Sequence, residues 1–221
     1  MFDSLIKSSF QSHLKYEFWP AIQENSKNIL IVLHGRGDSP AGFHFLPEAL
    51  NVDSLNYLFV EAPDPYGPGY SWYDLPPHQA KGIIRSRNLL FELIDKLQSE
   101  FKMSSLNIFL LGFSQGCLMS LDIALRYPKH LGGVVGISGY VFFEEEYPEA
   151  FSKVAKEQRI WVSHGRFDDV LPFEKTKASI KKLCAQGISI DWTPFDKAHT
   201  IDEKDELTHI GIFLLHQLEA N

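Results

Sequence analysis

The residues best placed to do chemistry stand in Gly112-Phe113-Ser114-Gln115-Gly116, a G-x-S-x-G pattern. A serine hydroxyl is a poor nucleophile until a base takes its proton. The pattern therefore matters only if the chain holds Ser114 in an unusual place, and its flanks argue that it does. Asn107-Ile108-Phe109-Leu110-Leu111 reads as an apolar strand, and the residues after the turn, to about Tyr127, read as a helix. Gly112 and Gly116 carry no Cβ, so strand and helix can approach closely while the serine occupies a strained turn at the top of a sheet. The turn also aims the first free N–H groups of the helix at the space above Ser114, where the oxyanion of an attacked carbonyl would form. The chemistry is nucleophilic attack on a carbonyl carbon.

A serine on such an elbow is followed in the chain by an acid and then by a histidine. Of nine histidines, only His199, His209 and His216 come after the last predicted strand. His209 and His216 fall within a final amphipathic helix. His199 sits in the loop Phe195-Asp196-Lys197-Ala198-His199-Thr200, from which a base can lean over the sheet edge. Beyond the preceding strand the chain reads His164-Gly165-Arg166-Phe167-Asp168-Asp169-Val170-Leu171-Pro172. One of the two aspartates would accept the N–H of His199, and the other would cap the helix beginning near Phe173. Spacing leaves that choice open. His164 reads as a strand-end residue with a structural hydrogen bond. A second oxyanion donor, beside the N–H of Gln115, is expected from Leu33-His34-Gly35-Arg36-Gly37-Asp38, where glycines let the backbone come close. No Lys-Ser/Thr follows at Walker spacing and no third glycine completes a dinucleotide fingerprint, which disfavours a phosphate cradle.

The elements that must position these residues alternate between strand and helix. Leu14, Tyr16 and Phe18 alternate with polar residues as in a half-buried strand. Ile29 to Leu33 and Tyr57 to Val60 read as strands covered on both faces. A short helix is expected over Pro40 to Leu50. Helices follow over Ala80 to Phe101 and Phe173 to Gln186, the latter closed by Gly187, and finally over Glu203 to Leu218. Further strands are expected at Gly133 to Ser138, Arg159 to His164 and Ile188 to Thr193. Ala62 to His78 holds five prolines and four aromatics, and reads as a functional loop without regular structure. The alternation predicts one domain of 221 residues, an α/β fold with a mostly parallel, doubly wound sheet and right-handed crossovers.

Composition narrows the function further. A net charge of −7 argues against nucleic acid or an anionic membrane as the main partner. No stretch approaches the ~18 apolar residues of a membrane span. Met1 to Lys7 has neither a basic n-region nor a long apolar run, so no signal peptide is expected. Of the two cysteines, Cys117 reads as a small core residue, and a disulfide to Cys184 is not expected. These features suit a cytoplasmic protein.

Four motifs stand in order: Leu33-His34-Gly35-Arg36-Gly37-Asp38, Ser71-Trp72-Tyr73-Asp74, Gly112-Phe113-Ser114-Gln115-Gly116 and His164-Gly165-x-x-Asp168-x-x-Leu171-Pro172, with His199 after them. Together they resemble the phospholipase/carboxylesterase family, which includes acyl-protein thioesterases and bacterial carboxylesterases. The likeness runs from about residue 28 to the C-terminus. It implies an α/β-hydrolase without a large lid domain, working without metal or cofactor. It places the acid four residues after the His-Gly histidine, which selects Asp168, and makes the main-chain N–H groups of Arg36 and Gln115 the oxyanion hole. Many relatives carry leucine where this chain has Arg36, and the segment Tyr140 to Tyr147 has no assigned counterpart.

The expected function is a serine hydrolase of carboxylic esters or thioesters, acting through an acyl-enzyme on a small-molecule, lipid or acylated-protein substrate. Trp72, Leu75, Phe142, Phe143 and Leu171 are expected to line its acyl groove. A homodimer through the aromatic loops is compatible with the sequence. The competing reading is a binding protein that keeps the fold without turnover, which the complete Ser-Asp-His set disfavours.

Overall fold

Apolar runs that alternate between two covered faces produce the central sheet. The computed structural model describes residues 10–146 and 148–221; the N-terminal stretch read above and Tyr147 lie outside the described residues. In chain order the strands are β1 (Tyr16–Trp19), β2 (Ile29–Leu33), β3 (Asn56–Val60), β4 (Asp64–Tyr66), β5 (Gly69–Ser71), β6 (Ile108–Phe113), β7 (Gly133–Ile137), β8 (Ile160–Gly165) and β9 (Ile190–Phe195). The helices are α1 (Leu46–Leu50), α2 (Gln79–Phe101), α3 (Gln115–Arg126), α4 (Phe173–Ala185) and α5 (Asp205–Ala220). Seven strands form one sheet in the order β1-β3-β2-β6-β7-β8-β9, parallel throughout except for β1.

Successive side chains of a strand point to opposite faces. On β2, Ile29, Ile31 and Leu33 join Ile83, Leu90, Ile94 and Leu97 of α2 and Leu118 and Leu121 of α3 in one core. Leu30 and Val32 join Leu46 and Leu50 of α1 and Leu207, Ile210 and Leu214 of α5 in the other. A sheet buried on both faces explains why β2 and β6 read as unbroken apolar runs. Each Leu or Ile buried this way contributes about 1.5–3 kcal/mol before the entropy of ordering is subtracted. Among the described residues, no helix is long and apolar enough to cross a membrane.

Register brings the loops of interest together. Leu33 of β2 pairs with Gly112 of β6, so the loop after β2 and the turn after β6 leave the sheet side by side. Gly165 of β8 pairs with Phe195 of β9, which does the same for the segments carrying Asp168 and His199. All four leave from carboxyl ends of parallel strands, the edge at which open α/β sheets form crevices.

Three expectations change. The stretch over Ala62 to His78 contains the β4–β5 hairpin, closed by a Gly67-Pro68 turn in which Gly67 adopts φ +57°. Pro65 fits because a two-stranded ribbon has outward positions that need no N–H. The helix expected over Pro40 to Leu50 is split into a 3-10 turn, Pro40–Phe43, and α1. Pro47, lacking an N–H, starts a new helix and does not continue the old one. The last strand begins at Ile190 and runs on through Pro194, tolerated because β9 is the sheet edge.

Where β2, β6 and α3 cross, backbone nearly touches backbone. A Cβ on Gly112 would lie 2.1 Å from the carbonyl oxygen of Gly116, and one on Gly116 would lie 2.0 Å from that of Leu33. Neither position can accept alanine without moving a strand. Gly116→Ala is therefore expected to lower the unfolding free energy by about 3 kcal/mol in urea titrations. An unchanged midpoint would contradict this packing.

Candidate active site

The close crossing forces Ser114 into a conformation a serine rarely adopts, φ 55° and ψ −112°. Its N–H donates to the carbonyl of Ile137 (2.9 Å), which fixes the turn against β7. As the N-cap of α3 it makes no side-chain cap bond, so its hydroxyl remains available. That Oγ lies 2.9 Å from Nε2 of His199, and Nδ1 of His199 lies 2.7 Å from Oδ2 of Asp168. The partners define the tautomer: Nδ1–H donates to the carboxylate, and Nε2 is left to accept from the serine. Asp168 Oδ1 accepts the N–H groups of Val170 (3.0 Å) and Leu171 (2.7 Å), so the carboxylate is held from both sides. Asp169 points to solvent and caps nothing; the N-cap of α4 is Pro172, without a side-chain cap bond.

The acid and base segments are stitched to each other. Arg166 N–H donates to Phe195 (2.8 Å) and Phe167 N–H to Lys197 (3.1 Å). His164 is buried, and its Nε2–H donates to the carbonyl of Leu171 (2.8 Å). Burial holds its pKa below the ordinary imidazole value, so it stays neutral beneath Asp168. On the base side, Lys197 is buried with Glu206, at 2.6 and 2.7 Å to the two carboxylate oxygens, and also donates to the carbonyl of Thr200 (2.7 Å). Glu206 in turn accepts the N–H of Asp202 (2.8 Å). Burial pushes the Lys197 pKa down while Glu206 opposes the shift. This pair closes the loop on both sides of His199. Sequence reasoning missed it, because two charges nine residues apart across a loop carry no periodic signal.

In the same cleft as Ser114, the N–H groups of Arg36 and Gln115 donate to no protein acceptor among the described residues. The hairpin holds the first of these in place: Gly37 N–H donates to Tyr70 (2.7 Å) and Tyr70 N–H to Asp38 (2.9 Å). The Gln115 side chain anchors the segment that follows, accepting from Trp72 N–H (2.9 Å) and donating to the carbonyl of Tyr73 (2.8 Å). Cys117 packs under the elbow as a core residue, its thiol pKa pushed up to about 12 by burial. Both cysteines are free.

A cleft of about 530 Å³ opens beside Ser114, lined by Leu75, Val141, Val170 and Leu171, with Arg36 and Lys175 among its charged residues. The Arg36 guanidinium lies over the Tyr66 ring at 5.0 Å, which turns it toward the hairpin. Of the residues expected along the groove, Leu75 and Leu171 line it. Trp72 does not: it is fully buried, and its indole N–H donates to the carbonyl of His34 (2.9 Å), so the ring is part of the core beneath the site. Phe142 and Phe143 line a neighbouring cleft. The Phe143 ring lies against the guanidinium groups of Arg87 and Arg126, at 5.7 and 5.1 Å.

Fold and site together define an α/β-hydrolase, a mostly parallel sheet flanked by helices with a serine elbow at its carboxyl edge. The family profile described as Phospholipase/Carboxylesterase matches residues 18–216, and the chain belongs to that family. It is a hydrolase of the esterase/thioesterase type. Its relatives include acyl-protein thioesterase 1 of Schizosaccharomyces pombe, 35% identical over 167 residues, covering 70% of this chain and 74% of that protein. Carboxylesterase SOBER1 of Arabidopsis thaliana is 27% identical over 216 residues, covering 89% and 93%. The crystal structure of SOBER1 superposes with a TM-score of 0.79 over 86% of this chain and 99% of that one. The Bacillus cereus carboxylesterase, 16% identical, shares the fold with a TM-score of 0.79 over 97% and 98%.

The buried pair beside His199 makes a distinctive double-mutant cycle. Glu206→Leu strands a buried ammonium and Lys197→Met a buried carboxylate, so each is expected to lower stability by about 3–5 kcal/mol. The double variant is expected to regain most of that loss in urea unfolding. Additive losses would show that the two side chains do not depend on each other.

Proposed function

We propose that the chain hydrolyses carboxylic esters and thioesters through an acyl-enzyme on Ser114. The observation that carries this reading is the hydrogen-bonded line from Ser114 through His199 to Asp168, at 2.9 and 2.7 Å. The Ser114 oxygen attacks the substrate carbonyl while Nε2 of His199 takes its proton. Asp168 keeps Nδ1–H pointing at itself and stabilises the imidazolium that forms. Negative charge that develops on the carbonyl oxygen is received by the N–H groups of Arg36 and Gln115, each worth about 3–4 kcal/mol of transition-state stabilisation. His199 then protonates the departing alcohol or thiol, and water activated by the same imidazole releases the acid.

The cleft supports a substrate class. Leu75, Val141, Val170 and Leu171 offer an apolar path next to Ser114 that suits the hydrocarbon part of an acyl group. Relatives named acyl-protein thioesterase and carboxylesterase point the same way. Substrates are accordingly lipid, small-molecule or acylated-protein esters and thioesters. A cytoplasmic setting fits the two free cysteines.

Ser114→Ala tests the reading. The variant is expected to stay folded and to lose at least about a thousandfold in kcat on p-nitrophenyl butanoate. Turnover near the wild-type rate would remove Ser114 as the nucleophile.

A further inference from the structure

The cleft at Ser114 has a continuation. A second cleft, of about 540 Å³, lies next to it, and the two share Ser179. Both run between the same pair of walls. One wall is α4, whose Thr176 and Ser179 line the first cleft and whose Ser179, Lys182 and Leu183 line the second, with Gln186 just past its end. The spacing of these positions keeps them on one helix face. The other wall is the segment 140–146, with Tyr140 and Val141 in the first cleft and Phe142 and Phe143 in the second. The walls meet at Glu144, whose carboxylate accepts from the Ser179 hydroxyl and from Lys182 Nζ, the latter at 2.7 Å.

We infer that the Glu144–Ser179–Lys182 link is a partition that limits the length of acyl chain the enzyme accepts. The inference deepens the acyl-enzyme reading above and rests on it for the substrate class. An apolar chain end arriving at a carboxylate, a hydroxyl and an ammonium gains no contact and would strip water from polar groups. Chains that fit before the link are accommodated, and longer ones must bend out to solvent. Past the link, Phe142, Phe143 and Leu183 offer apolar surface for further methylenes. The segment does not depend on Glu144 alone for its position. Phe143 is flanked by Arg87 and Arg126, and Arg126 also donates to Glu146 at 2.8 Å. Loss of the link therefore opens the groove while the wall stays in place.

The test compares kcat/KM for p-nitrophenyl butanoate, octanoate and laurate in the wild type, Glu144→Ala and Ser179→Ala. The laurate-to-butanoate ratio is expected to rise about tenfold or more in Glu144→Ala, and less in Ser179→Ala, which keeps the Lys182 arm. An unchanged ratio overturns the inference. So does a uniform slowing of all three esters together with a lower Tm, the mark of a mere structural clasp. Calorimetric binding of the free fatty acids to Ser114→Ala, with and without Glu144→Ala, needs no turnover; opening the link should tighten laurate and leave butanoate unchanged. If the wild type cleaves no ester or thioester, the acyl-enzyme reading fails, and calorimetry alone decides the partition.

Discussion

The molecule is built around a place where three backbones have no room for a side chain. β2, β6 and α3 come together at Gly112 and Gly116, and that contact holds Ser114 at a positive φ that a relaxed turn would avoid. Such a conformation costs about 1–3 kcal/mol and persists only because the surroundings over-determine it. The surroundings here are two buried strands and a helix that is buried along nearly its whole length. The strain has a consequence for chemistry. It lifts the hydroxyl clear of the helix it caps, beside the first N–H of that helix, Gln115, which finds no acceptor among the described residues.

The remaining parts of the site are aligned by pairing between neighbouring strands, not by local sequence. Adjacent strand ends deliver the Asp168 and His199 segments side by side, and hydrogen bonds between those segments fix their separation. Buried polar residues then tie each segment down: His164 under the acid, and Lys197 with Glu206 around the base. The same logic operates on the other side, where the hairpin positions the loop that follows β2 and the Gln115 side chain anchors Trp72 and Tyr73 just beyond the hairpin. Rigid supports of this kind let a triad keep its geometry on loops, which are otherwise the mobile part of a fold.

What the sequence made legible followed from period and spacing. The sheet strands could be read because double burial leaves runs such as Ile29 to Leu33 without a polar residue. Ser114, Asp168 and His199, which the structure brings within hydrogen-bond reach of one another, each stand just beyond a strand end, a place the strand pattern marks. The two aspartates at 168 and 169 could not be separated by spacing alone, since the difference is which carboxylate faces inward. The hairpin was hidden by its prolines, which normally argue against a strand. Trp72 was misplaced because an aromatic in a loop gives no sign of whether it lines a cleft or fills the floor beneath one. Helix α4 contributes one wall of the cleft through Lys175, Thr176 and Ser179, residues that in sequence look like an ordinary solvated face.

We propose that one serine, Ser114, made nucleophilic by one imidazole, carries the acyl group. Treating the native protein with a fluorophosphonate and mapping the adduct by peptide mass spectrometry tests it most directly. A single adduct on Ser114, absent in His199→Ala, is the predicted result. An unlabelled Ser114 in a preparation that still cleaves esters would contradict it.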